Sequence, residues 1–266
     1  MTWVIGASTI FGYGVVISDI CVTFSNGETR DILQKTYPVG KFIVAGFAGS
    51  VELGFMLLQN LEEFLKLPQE AEDSAWHPDW VAQEWSPIAK EIYDHARKEL
   101  QRLGSEILMV GVSPNEDIGI PGFAKSYVSV LKAPDFSPEI IRGGNKFCSI
   151  GSGSGVNVYL KGLEDFTKDV YHPLMQAEVG SAGGWGNAIK ITLSNVLKDN
   201  PNAGISRHIQ IFLIRRGGIS LGNNDHTIYP QNQEPIEIKM PPVARGYSEL
   251  IKMAQDINRC VKGAIC

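Results

Sequence analysis

The sequence is short of cysteine, of positive charge and of long apolar runs, and each shortage excludes a class of protein. Four cysteines in 266 residues, Cys21, Cys148, Cys260 and Cys266, are too few and too scattered for a disulfide-stapled scaffold. No two of them form a C-x-x-C pair, and the five histidines show no metal-ligand spacing, so no metal and no cofactor is expected. Lys and Arg number 24 against 29 Asp and Glu, a net charge of -5, and no basic stripe is present to grip nucleic acid. No apolar run approaches the roughly 18 residues of a membrane helix. The opening Met-Thr-Trp-Val-Ile-Gly lacks the basic start and long apolar stretch of a secretory signal, and the chain reads as cytoplasmic. Low-complexity segments and repeats of about 20–50 residues are also missing.

What remains is an ordinary globular composition, 44% hydrophobic and 20% charged, with 28 glycines and 14 prolines spread along the chain. Residues 2–8 read as a short strand, followed by a Gly-bearing turn and a second apolar run over 15–22, together a hairpin. Ser25-Asn26-Gly27 is a turn, a third strand is expected over about 29–37, and Phe42–Gly49 is a fourth. The period then changes. Val51, Phe55, Leu58, Leu61 and Leu65 recur at three- and four-residue steps, which predicts a helix over 50–66. A polar loop over 68–79 leads to a second helix over about 80–103. Trp80, Trp85, Ile88, Ile92 and Leu100 form its apolar side, Pro87 kinks or restarts it, and Gly104 is its C-cap.

Strands are expected again at Glu106–Ser113, at about 123–132 and at 146–150, helices over 156–166 and 186–199, and a strand at His208–Arg215. Residues 217–266 are polar and Pro-bearing, then helical over 246–262. Strands, helices, strands, helices, strands is the order of an antiparallel α+β protein with helices outside stacked sheets, not of a parallel βαβ fold.

The most informative chemistry is at the start. Thr2 follows the initiator directly, and its small side chain permits removal of Met1. A threonine with a free amine carries nucleophile and base on one residue, because an α-amine with a pKa of about 7.7–8.0 is partly neutral near pH 7. Elsewhere the signals are weaker. Gly151–Gly155 lacks G-x-G-x-x-G spacing and a Walker lysine. Trp76, Trp80 and Trp85 read as packing of an inserted helix.

Five segments then carry a family resemblance. They are Thr2-Trp-Val-Ile-Gly; Gly-Val-Val-Ile-Ser-Asp19; Lys35-Thr-Tyr; Val-Ala-Gly46-Phe-Ala-Gly-Ser before a helix; and Cys-Ser-Ile-Gly-Ser152-Gly-Ser-Gly before another. With Asp199-Asn-Pro-Asn-Ala-Gly204 ahead of a late apolar strand, their order resembles the proteasome β-subunits and the bacterial HslV-type peptidase. The resemblance spans about 2–66, 104–166 and 186–218.

It implies an N-terminal-nucleophile hydrolase fold, a four-layer αββα sandwich of two antiparallel sheets flanked by helices. The domain would run over 1–218, with insertions near 67–90 and 167–186, and residues 219–266 would be a C-terminal extension packing on it or at a subunit contact. It implies a threonine endopeptidase acting on peptides or unfolded protein inside a self-compartmentalising homo-oligomeric ring or array, with an ATPase as a possible partner. Two alternatives share the same residues: a catalytically inactive structural or regulatory subunit, and an amidase or peptide ligase of the same nucleophile class.

By that resemblance Thr2 is the nucleophile. Asp19 pairs with a lysine, the alternative being a surface-facing strand carboxylate. Lys35 is that lysine, with Lys41 the competing choice in a turn. Gly46 carries the oxyanion-hole amide, against a plain strand-to-helix turn, and the gap from Lys35 to Gly46 is short for the family. Ser152 bonds near the Thr2 amine and Asp199 supports it. The hydroxyl that the family often places just after that Asp is replaced here by Pro201-Asn202-Ala203. Asn202 substitutes for it, the amine is held another way, or activity is weakened.

Overall fold

The computed structural model describes residues 2–66, 71–168, 184–201, 204–222, 224–228 and 234–263. Met1, Asn202 and most of the expected insertion at 167–186 lie outside these residues.

Two five-stranded antiparallel sheets form the frame. The first runs β10-β1-β2-β11-β12, with β1 at Val4–Ser8, β2 at Gly14–Asp19, β10 at Lys146–Ile150, β11 at Ile209–Arg215 and β12 at Gly218–Leu221. The second runs β5-β6-β7-β8-β9, with β5 at Thr36–Pro38, β6 at Ile43–Gly49, β7 at Ser105–Asp117, β8 at Ala124–Lys132 and β9 at Glu139–Arg142. Two ribbons stand apart, β3 (Cys21–Thr23) with β4 (Thr29–Asp31), and β13 (His226–Ile228) with β14 (Ile236–Ile238). The helices described are α1 (Val51–Phe64), α2 (Pro78–His95), α3 (Lys98–Arg102), α4 (Asn157–Lys168), α5 (Gly184–Asp199) and α6 (Tyr247–Gly263). The α+β, antiparallel reading of the sequence therefore stands.

Strands covered on both faces are buried along their whole length and do not alternate in exposure, as β1 shows. Successive side chains still point to opposite faces. Val4, Val16 and Phe212 join Val44, Leu108, Val110 and Val128 of the second sheet in one cluster. Ile5, Val15, Ile17 and Ile211 meet Leu193 and Leu197 of α5 in another. Ile43, Ala45 and Phe47 meet Leu57 and Leu61 of α1 and Trp85 of α2 in a third.

Several boundaries differ from the sequence reading, each for a local reason. The run 15–22 is two strands, because Asp19 Oδ2 accepts the Cys21 N–H (3.0 Å) and turns the chain out of the sheet. The expected strand 29–37 is broken at 32–35, where Ile32 and Leu33 donate to Ile20 O (3.1 and 3.0 Å) and Gln34 donates to Ala244 O (3.0 Å). The second helix starts earlier, with Pro78 at its first turn, and the polar loop before it holds a 3-10 turn at Asp73–Trp76. It passes through Pro87 and ends at Ala96. Pro87 and Gln83, whose carbonyl loses its helical partner, are both exposed, so that carbonyl is not left buried without a bond. Trp80 is 43% exposed and stacks on Phe64, so it does not belong to the buried side that Trp85 anchors. Gly104 follows α3 with φ +72, as a C-cap glycine does.

The chain beyond 218 is tied into the same body. β12 pairs with β11 in the first sheet, so the sheet does not end at 218. Ala244 bridges in parallel to Leu33 and is fully buried, and Leu250 joins the cluster under α1.

Candidate active site

Thr2 leads directly into β1, at the end of the first sheet. Its backbone N–H donates to Ser152 Oγ (3.1 Å), and its carbonyl accepts the Gly153 N–H (3.2 Å). Ser152 reaches this place because Gly151 turns with φ +84, and a side chain at Gly151 would sit 2.2 Å from Thr2 O. The Gly151 N–H is held in turn by Glu106 Oε2 (2.6 Å). The glycine-rich motif is thus a tight cradle for the chain start, needing a bare backbone at its centre.

Next to Thr2 lies a buried ion pair. Lys35 Nζ and Asp19 Oδ1 are 2.8 Å apart, and both side chains are 1% exposed. A buried pair is tolerated only when its remaining lone pairs are satisfied, and here they are. Asp19 Oδ1 also accepts the Trp3 N–H (2.8 Å), while Oδ2 accepts the N–H groups of Cys21 (3.0 Å) and Ser206 (3.4 Å). One carboxylate therefore fixes the lysine, the residue after Thr2 and the start of β3 together. Lys41, the competing lysine, is half exposed and pairs with Asp73 at the surface.

Ser206, whose N–H reaches Asp19, is itself held by His208 and, through it, Asp31. His208 Nδ1 lies 2.9 Å from Asp31 Oδ2 and 3.1 Å from Ser206 Oγ, which accepts the His208 N–H (2.8 Å). Burial pushes the Asp31 carboxyl up, but hydrogen bonds from His208 and Ser206 outweigh it and hold it below its usual range. Burial, reinforced by the Asp19 charge, pushes the Cys21 thiol up to about 11, so this cysteine is no nucleophile. The Ser206–His208–Asp31 set was missed in the sequence. Asp31 lies 177 residues from His208 in the chain, and no motif marks the set.

Thr2, Lys35 and Ser152 line one cleft of about 920 Å³, together with Gly49, Glu52, Glu106, Lys132 and Tyr247. Two sequence expectations do not reach it. Gly46 lies in the middle of β6, paired with Thr36 and Leu108, and does not line the cleft. Phe47 N–H donates to Lys35 O (3.2 Å) on the β5 side, where the ladder with β5 ends at Thr36. Amides alternate along a strand, so the Gly46 N–H faces β7 and the Gly49 N–H points past the end of β5. Gly49 has φ +94, and a Cβ there would meet Gly104 O at 2.3 Å. The glycine of this motif that lines the cleft is thus Gly49, three residues beyond the one the resemblance marks, which also lengthens the short gap from Lys35.

Asp199, the last residue of α5, is exposed and does not line the cleft. The backbone contribution of this segment comes instead from Ser206.

Among the described residues no group of three or more His, Cys, Asp or Glu is placed to hold a metal ion, and no helix is long and apolar enough to cross a membrane. No protein-family model matches the chain, and no curated protein matches it.

Proposed function

We propose that this chain is a threonine peptidase of the N-terminal-nucleophile class, with Thr2 as nucleophile once Met1 is removed. The single observation that carries the reading is the convergence of Thr2 N, Ser152 Oγ at 3.1 Å and the buried Lys35–Asp19 pair on one cleft. The three core clusters, one between the sheets and one on the outer face of each, support the four-layer αββα sandwich of that class.

In this mechanism the neutral Thr2 amine takes the proton of Thr2 Oγ as the oxygen attacks the peptide carbonyl. The nearby Lys35 charge disfavours the ammonium form of the amine and stabilises the attacking oxygen. Asp19 holds Lys35 in place. The Gly49 N–H faces the developing oxyanion, a contact whose loss typically costs about 10²–10³ in rate. The C–N bond breaks, the proton passes from the amine to the leaving nitrogen, and an ester on Thr2 remains. Water, deprotonated by the same amine, hydrolyses it. Ser152 holds the amine in line. The cleft belongs in a self-compartmentalising homo-oligomer acting on unfolded protein, with an ATPase as a possible feeder.

The exposure of Asp199 favours a second reading, a catalytically silent subunit of the same architecture, because the family's supporting acid is then lacking. Hydrolysis of capped fluorogenic peptides decides between them. The peptidase reading expects turnover that Thr2→Ala abolishes and Thr2→Ser retains; turnover unchanged in Thr2→Ala, or none in a chain shown to lack Met1, overturns it.

A further inference from the structure

We propose that the C-terminal segment 244–250 completes the substrate cleft, and that Tyr247 on it is a specificity-determining residue selecting uncharged, apolar peptide side chains. The inference rests on the peptidase reading for its substrate, a peptide, but not for its geometry.

The segment is built into the site. Ala244 N–H donates to Ile32 O (2.7 Å) and Ala244 O accepts the Gln34 N–H (3.0 Å), clasping the residues just before Lys35. Leu33, between those two bonds, is itself a cleft residue. Three residues after Ala244, Tyr247 reaches the cleft rim, where its hydroxyl donates to Glu52 Oε2 (3.2 Å). Arg97 Nη2 bonds both oxygens of the same Glu52 (2.7 and 2.8 Å), so the phenol leans on a carboxylate that is already fixed.

Charge then decides what the cleft accepts. Its charged lining side chains are Lys35, Glu52, Glu106 and Lys132. Each has a partner of its own: Lys35 has Asp19, Glu52 has Arg97, and Glu106 and Lys132 have each other (3.2 Å). A charged substrate side chain therefore finds no spare counter-charge and loses its hydration. An apolar one meets Phe24, Val51, Tyr93, Leu100 and Leu103, all at least partly exposed. Tyr247, 37% exposed, offers a ring with few rotors to immobilise, the kind of side chain that dominates binding at such surfaces.

The test uses the full chain carrying Thr2→Ala, so that nothing turns over, and fluorescence anisotropy with three fluorescein-labelled hexapeptides: one of Leu and Phe, one with Asp and one with Lys at alternate positions. The Leu/Phe peptide is expected to bind at least about tenfold tighter than the other two. Adding Tyr247→Ala is expected to weaken it about tenfold, and adding Tyr247→Phe to change it less than about threefold. Equal binding of the three peptides, no binding of the Leu/Phe peptide, or an unchanged Kd in Tyr247→Ala overturns the proposal. If Tyr247→Ala fails to fold, the selectivity of the parent chain decides. Fluorogenic turnover by the Thr2 chain is scored separately: selective binding without Thr2-dependent turnover sinks the peptidase and keeps the cleft assignment, and turnover indifferent to Tyr247 does the reverse.

Discussion

Asp19 and Lys35 are the residues on which the site depends, because both are buried and each is the other's charged partner, the remaining bonds of Asp19 coming from backbone N–H groups. Asp19→Asn leaves a buried lysine uncompensated and is expected to cost about 3–5 kcal/mol in urea unfolding. The double variant Asp19→Asn with Lys35→Met is expected to regain most of that stability and none of the activity. A double variant as unstable as the single one contradicts a charge-based cost. Gly46 and Gly49 separate in a similar way. A methyl at Gly46 would meet Thr36 Cγ2 at 2.7 Å and Val4 Cγ1 at 3.0 Å, so Gly46→Ala is expected to lower stability by about 1–3 kcal/mol. Gly49→Ala twists the amide that faces the cleft and is expected to lower kcat by at least about 10². Equal kcat losses in the two variants would contradict the assignment of Gly49. Thr2, Asp19, Lys35 and Ser152 were legible in the sequence because each sits in a short motif at a fixed place along a strand or turn. Gly49 was hidden by its neighbour Gly46 in the same motif, since a sequence does not say which side of a strand an amide faces. Asp199 ends α5 in an exposed position away from the cleft lining, a placement in space that no local pattern of the sequence carries.

At the scale of elements, the α5–β13 contact carries a pH dependence. His226 Nε2 lies 2.8 Å from Ser194 Oγ of α5, and Nδ1 lies 3.0 Å from Asn224 O. Burial, helped by the charge of Lys190, holds the His226 pKa below its ordinary 6.5. The unfolded ribbon therefore takes up the proton first, so the tie contributes in full above about pH 6.5 and is lost as pH falls toward the folded value. Amide exchange at Thr227 and Ile228, corrected for intrinsic rates, is expected to be faster at pH 5.5 than at pH 7.5, and to lose that difference in His226→Gln. Exchange independent of pH in the parent chain would contradict the burial argument. Helices and long strands were legible because their apolar period is local. The breaks at Asp19, at 32–35 and at Ala96 were not. The first depends on a side chain capping a backbone N–H, the second on Ala244 more than two hundred residues away, and the third on Ala96 leaving the helical backbone region with ψ 155.

For the whole molecule, the length of the chain gains a function. The two five-stranded sheets account for residues up to 221, and beyond them Ala244 clasps the backbone ahead of Lys35 while Tyr247 lines the cleft. That segment packs into the same body as the sheets. A fully exposed cleft would endanger folded proteins, so the account expects an assembled enzyme: sedimentation velocity should give a closed homo-oligomer that carries the peptidase activity, and activity confined to monomer would contradict it. The central claim is that Thr2 presents a free amine and a reactive hydroxyl on one residue. Intact and peptide mass analysis after treatment with a peptide epoxyketone, which must bond both groups of a threonine, tests it most directly. The account predicts a chain without Met1 bearing one adduct on Thr2, absent in Thr2→Ala; a chain without Met1 that carries no adduct on Thr2 would contradict it.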